Sequence, residues 1–412
     1  MKGVELRFDE VRLANGLTVI GEHNPQAASM AIGYLVHTGA RDETAEVAGV
    51  SHFLEHMLFK GNEAYTADDL NRTFDELGAD YNAFTSAERT VYYGAVVASR
   101  ALALLDVLTE LMQPSLRQAD FDMEKKVILE EIAMYQDRPS SRLFERANER
   151  FWNSHPLGNS VLGSSESIAA LTRDQMLTYF ERRYSPGNVI LALAGNYDLD
   201  AVLERVGRQA GTWPAFDATR DRPPASLARG RERLTDASLK RLHAAFYAPG
   251  VPAETREARY AAGLLASVIG AGDGSRLYWE LVDKGLADNA SLGHEASEGA
   301  GAFVGYLSTA PERAEEVIAS YVRVLGEAQD AGVSDAEWRR AQLRTATGLT
   351  MRAETPMGRL MSFAATYQTL GEYQSLARMV DEVMSTPLAA GLELLAGRPF
   401  DDAYVLTLGP DA

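Results

Sequence analysis

Apolar residues recur along this chain with two different periods. Residues 30–37 and 188–195 are almost unbroken apolar runs of strand length, which predicts strands buried in a sheet. Residues 90–97, rich in Val and Tyr, and residues 17–20 read as further strands. Helical spacing marks 66–77, 99–112, 118–135 and 172–182, and later 311–330 and 334–351. Ser334-Asp335-Ala336-Glu337 has the form of a capping box at a helix start. Strands interspersed with long amphipathic helices predict an α+β chain in which each sheet packs against helices.

A length of 412 residues exceeds one ordinary hydrophobic core, so two domains of roughly 200 residues each are expected. Pro223-Pro224 fits neither a helix interior nor a central strand, and its surroundings lack periodicity. The expected division is therefore 1–212, a linker over 213–230, and 231–412. Three landmarks recur between the halves. Ala48-Gly49-Val50-Ser51-His52 matches Ala262-Gly263-Leu264-Leu265-Ala266. Glu76-Leu77-Gly78-Ala79-Asp80 matches Lys284-Gly285-Leu286-Ala287-Asp288. Residues 121–131 match 334–344. All three are offset by about 210 residues, which predicts internal duplication.

Composition narrows the chemistry. Hydrophobic content of 46% with 24% charged residues is that of a soluble globular protein. The absence of cysteine excludes disulfides and thiolate-bound metal, so any metal must use His, Asp or Glu. A net charge of −18 argues against nucleic acid and anionic membranes as partners. Neither a signal peptide nor a membrane span is legible, and the cytoplasm is the expected compartment.

His52-Phe53-Leu54-Glu55-His56 places two of seven histidines one helical turn apart with a carboxylate beside them. A lone helical histidine is more often a core or surface residue than a ligand. The pair with its Glu has the inverzincin order, in which both imidazoles can bind one Zn²⁺ and Glu55 can reach a water. A catalytic zinc needs a third protein ligand. Glu124, Glu130 and Glu131 lie on a predicted helix, and Glu124 and Glu131, two turns apart, share a face.

Taken together, His52-x-x-Glu55-His56 and Glu124-x6-Glu131 resemble the pitrilysin and mitochondrial processing peptidase family of zinc peptidases. The resemblance extends to Asn82-Ala83-Phe84-Thr85, His155-Pro156-Leu157-Gly158 and Tyr184-Ser185-Pro186-Gly187-Asn188. It implies two homologous repeats, each a mainly antiparallel sheet packed against helices. It implies one Zn²⁺ per chain on His52, His56 and Glu131, with Glu55 as general base and Glu124 as the carboxylate behind a ligand. It also implies that Asn82, Ala83, Phe84 and Thr85 form an edge to which an extended peptide adds as a strand. The ordinary alternative for that stretch is a covered edge strand.

The second half departs from the family. Ala266, Ile269, Gly270 and Arg344 stand where His52, Glu55, His56 and Glu131 have their counterparts. An Arg and Tyr pair of the family's second repeat is replaced by Leu281 and Asp288, while Arg276 and Tyr278 lie at another spacing and read as structural. The resemblance thus implies a zinc-bearing subunit that needs a homologous partner, a heterodimer before a homodimer, enclosing a chamber for peptides. The competing expectation is a non-catalytic peptide-binding or scaffold subunit.

Overall fold

The computed structural model describes residues 6–410. Six strands form the first sheet: β1 Arg7–Arg12, β2 Thr18–His23, β3 Ser29–Val36, β4 Asp80–Thr85, β5 Thr90–Val97 and β6 Val189–Gly195. Their order is β1-β2-β6-β3-β5-β4. The second sheet holds β7 Gly230–Thr235, β8 Leu242–Pro249, β9 Asn289–Ser297, β10 Ala300–Thr309 and β11 Tyr404–Gly409, in the order β7-β11-β8-β10-β9. In each sheet one pairing is parallel, β2 with β6 and β7 with β11, and the others are antiparallel. The path β2-β6-β3-β5-β4 is repeated step for step by β7-β11-β8-β10-β9, with β1 as an addition. The expected α+β class and the duplication are thus features of the topology itself.

The continuous apolar run of β3 follows from burial on both of its faces. Ile32, Tyr34 and Val36 point into the core shared with helices α1 (Val50–Leu58) and α3 (Ala101–Leu111). Ala31 and Leu35 meet Leu360, Phe363 and Ala364 of helix Pro356–Leu370. Between α1 and α3 lies α2 (Ala67–Leu77), started by a capping box at Thr66 and ended by Gly78 in the left-handed region. After α3 come α4 (Gln118–Gln136) and α5 (Pro139–Trp152).

Contiguous halves at 1–212 and 231–412 do not describe how the chain compacts. One unit comprises the residues up to 133 with 159–221 and 352–374. The other comprises 134–158, 222–351 and the residues from 375 on. Helix α5, from the first half, packs on β8 and β11, and helix Pro356–Leu370, from the second half, packs on β3 and β6. The physical reason is that an amphipathic helix specifies an apolar face and not which sheet will cover it. A buried ion pair marks where helix Pro356–Leu370 docks. Arg359 donates to both oxygens of Glu22 at 2.8 and 2.5 Å, and the Tyr373 hydroxyl donates at 2.5 Å. The stretch 213–229 contains neither helix nor strand. Among the described residues no helix is long and apolar enough to cross a membrane.

Candidate metal centre

Helix α1 starts at Gly49, whose φ of +89° lies in the left-handed region; a Cβ there would stand 2.5 Å from the Leu162 carbonyl oxygen. The Glu43 carboxylate accepts from the N–H groups of Gly49 at 2.6 Å and Ser51 at 2.7 Å. These bonds occupy backbone donors that a helix start otherwise leaves unpaired, with a carboxylate at the positive end of the dipole. Burial pushes the Glu43 carboxyl up to about 8, against the pull of its two donors.

Val50, Phe53, Leu54, Met57 and Leu58 turn the apolar side of α1 into the core. The opposite side carries His52, Glu55 and His56. Phe53 stacks on Phe121 of α4, with ring centroids 4.7 Å apart, and so holds the two helices together. Phe121, Glu124, Ile128 and Ile132 form the buried face of α4, which brings Glu131 beside the histidines and leaves Glu130 exposed.

Glu131 Oε2 lies 3.7 Å from His52 Nε2 and 3.7 Å from His56 Nε2. The three candidate ligand atoms all fall within 4.8 Å of one another, and among the described residues no other such His, Asp and Glu group converges. Ligands tetrahedrally disposed about Zn²⁺ stand roughly 3.4 Å apart, so this donor set fits that ion. Burial, reinforced by His56, pulls His52 down to about 3, which keeps its imidazole neutral and able to ligate. The Nδ1 atom of His52 is buried without a hydrogen-bond partner.

His56 Nδ1 lies 2.9 Å from Glu124 Oε1, and Lys60 Nζ lies 2.5 Å from Glu124 Oε2. Burial resists a charge on His56, but its bond to Glu124 and the nearby carboxylates outweigh it and raise its pKa. Burial likewise resists a charge on Glu124, and His56 and Lys60 win there, holding the carboxyl below its usual range. Burial raises the Glu55 carboxyl, opposed by a 2.6 Å bond from the Thr85 hydroxyl.

Asn82, Ala83, Phe84 and Thr85 occupy β4, the last strand of the first sheet. Asn82 is exposed and lines an open pocket with Glu55, His56, Phe59 and Tyr81. Phe84, 39% exposed, meets Tyr93 edge-on, while Ala83 packs against the core. In the other unit, Leu281 is fully buried and Asp288 pairs with Arg241 at 2.9 Å. Arg276 is engaged by Glu337 at 2.7 and 2.9 Å, a structural ion pair.

Sequence reasoning did not single out Glu43 or Lys60, nor the bond between Thr85 and Glu55. Lys60 lies two residues past the end of α1, outside the helical spacing that links His52 to His56. Glu43 and Thr85 reach the site through tertiary contacts that leave no local pattern.

Residues 18–165 match the family described as insulinase (peptidase family M16), and residues 170–344 match the peptidase M16 inactive domain. A Rickettsia felis protein described as an uncharacterized zinc protease is 30% identical over 89% of this chain and 89% of its own length. A Mycobacterium leprae protein of the same description is 31% identical over 97% of this chain and 91% of its own length. The crystal structure of a protease from Helicobacter pylori shares the fold with a TM-score of 0.91 at 20% identity, covering 98% of this chain and 100% of that one. A putative M16-like peptidase from Alicyclobacillus acidocaldarius does so with a TM-score of 0.86 at 20% identity, covering 99% of each.

Proposed function

Because the chain belongs to the insulinase family of peptidases, family M16, we propose that it is a zinc-dependent endopeptidase subunit acting on peptides or extended protein segments. The observation that carries the reading is the convergence of His52, His56 and Glu131, with the Glu55 carboxylate beside them. Zinc held by those three residues would supply Lewis acidity and a water of lowered pKa. Glu55 takes the proton of the attacking water and returns it to the leaving amine. Glu124 fixes the His56 ring through Nδ1 and thereby aims Nε2 at the metal position. An extended peptide adds along β4 by backbone pairing, which demands little of its sequence.

Among the described residues the second unit holds no counterpart of this His, His and Glu group. With Leu281 buried and Asp288 paired to Arg241, the chain lacks an Arg and Tyr pair to hold substrate opposite the metal. A homologous partner subunit supplies that pair in our reading, as a heterodimer rather than a homodimer, and the assembly encloses a chamber for substrate. A non-catalytic scaffold is disfavoured, because neither a ligand nor the base is missing.

The test compares wild type with Glu55→Gln for zinc content and peptide cleavage, with and without chelator. Glu55→Gln keeps zinc and loses cleavage. Full cleavage by that variant, or a wild type that binds no zinc, refutes the proposal.

A further inference from the structure

Thr85 is the last residue of the edge strand, and its side chain turns inward rather than toward solvent. Alternation along β4 puts Tyr81, Ala83 and Thr85 on the face that packs toward α1, and the Thr85 hydroxyl donates to Glu55 Oε2 at 2.6 Å. The strand that would receive substrate and the carboxylate that would move the proton are thus joined through one side chain.

The backbone of Thr85 is tightly held. The turn after it closes through Ser86 N–H to the Arg89 carbonyl at 2.8 Å. Loop N–H groups of Ala40 and Arg41 donate to the carbonyls of Ser86 and Ala87 at 3.1 and 2.8 Å. This approach requires glycine at position 39, where a Cβ would stand 2.2 Å from the Ser86 oxygen. Arg41 pairs with Glu88 at 2.5 Å, and Arg220 donates to the Glu88 carbonyl at 2.6 Å. A hydroxyl mounted on so constrained a turn has little freedom to leave its acceptor.

The geometry assigns Thr85 as a positioning residue for Glu55: its hydroxyl holds the carboxylate in one rotamer facing the metal position, and its contribution is to turnover rather than to peptide affinity. This rests on the peptidase reading above and gives Thr85 a side-chain task different from the substrate contact that the edge-strand resemblance implies. Valine matches threonine in shape but cannot donate, and serine restores the donor.

The test uses the full chain with an affinity tag, purified from its native host with any subunit that accompanies it, and a quenched fluorescent unstructured peptide. Thr85→Val keeps its zinc and loses about ten- to a hundredfold in kcat, with KM within about twofold. Thr85→Ser recovers most of the lost kcat. Crystal structures of wild type and Thr85→Val provide a second readout, in which Glu55 takes one rotamer in the first and several in the second. Wild-type kcat with an unmoved Glu55 in Thr85→Val overturns the assignment, and so does a loss confined to KM. Absent chelator-sensitive cleavage in the wild type, or full cleavage by Glu55→Gln, sinks the peptidase reading instead. The crystallographic comparison then still decides Thr85.

Discussion

Replacing Glu124 by Gln probes how the site holds a metal without touching a ligand. The Glu124 side chain is 5% exposed and serves two donors, His56 Nδ1 at 2.9 Å and Lys60 Nζ at 2.5 Å. Glutamine keeps the volume but offers one acceptor in place of two. If its carbonyl oxygen takes His56, its amide N–H groups face the Lys60 ammonium, donor against donor. If it flips, the same conflict falls on His56. Either orientation leaves one partly buried donor unmet, a cost of about 1–3 kcal/mol. That agrees with the roughly 10–100-fold loss of metal affinity typical when a partner behind a ligating histidine is removed. Competition with a chromophoric chelator measures the zinc dissociation constant, and thermal unfolding of the metal-free protein checks that the fold is retained. Lys60→Met in the Glu124→Gln background removes one of the conflicting donors and recovers part of the affinity. Zinc affinity of Glu124→Gln within twofold of wild type refutes the reasoning, since Glu124 would then not be orienting His56.

Two further outcomes concern stability. Arg359→Met leaves the Glu22 carboxylate, whose side chain is 3% exposed, without its ion-pair partner beneath helix Pro356–Leu370. The loss expected in urea unfolding is about 3–5 kcal/mol, largely restored by adding Glu22→Leu, and a loss under about 1 kcal/mol contradicts it. His294 is held neutral: burial and the Arg259 guanidinium pull it down to about 4, while the Val251 N–H occupies its Nε2 lone pair at 3.1 Å. Its unfolded pKa is the higher one, so its contribution is intact above about 6.5 and is lost as pH falls toward about 4. The full loss is on the order of 3 kcal/mol, read as the difference in pH-dependent stability between wild type and His294→Gln. Identical acid limbs for the two proteins rule it out.

Local patterns made parts of this molecule legible in sequence, and non-local ones concealed the rest. The spacing of His52, Glu55 and His56 sits within one helix, so periodicity alone puts them on one face. The third carboxylate was open among Glu124, Glu130 and Glu131 until the family resemblance chose among them, because that choice depends on how α4 rolls against α1. Phe121 stacking on Phe53 sets that roll. In the second sheet, β8 is rich in alanine (Ala244, Ala245 and Ala248), and β7 alternates arginine and glutamate at an edge, so neither has a clear strand pattern in sequence. Neither segment carries the long run of large apolar side chains that marks β3. That α5 and helix Pro356–Leu370 each cover the sheet of the other sequence half depends on which apolar surface each finds.

The second repeat keeps the strand order of the first without its His and Glu residues at the matching positions. Helix Arg256–Gly270 and helix Asp335–Arg352 correspond to α1 and α4, yet the joint between them is of another kind. Arg344, at the position matching Glu131, donates to the carbonyls of Ala271 at 2.7 Å and Asp273 at 2.6 Å. A cation there binds carbonyls of the residue that ends helix Arg256–Gly270 and of the loop just beyond it, at the negative end of the helix dipole. At the position matching His56, Gly270 is buried so closely that a Cβ would stand 2.3 Å from the Leu292 nitrogen. No side chain fits there without moving β9, so restoring His, Glu and His in sequence would not rebuild a metal site. Backbone packing in this repeat therefore leaves no room for an imidazole at that position, and among the described residues only α1 and α4 bring two histidines and a carboxylate together.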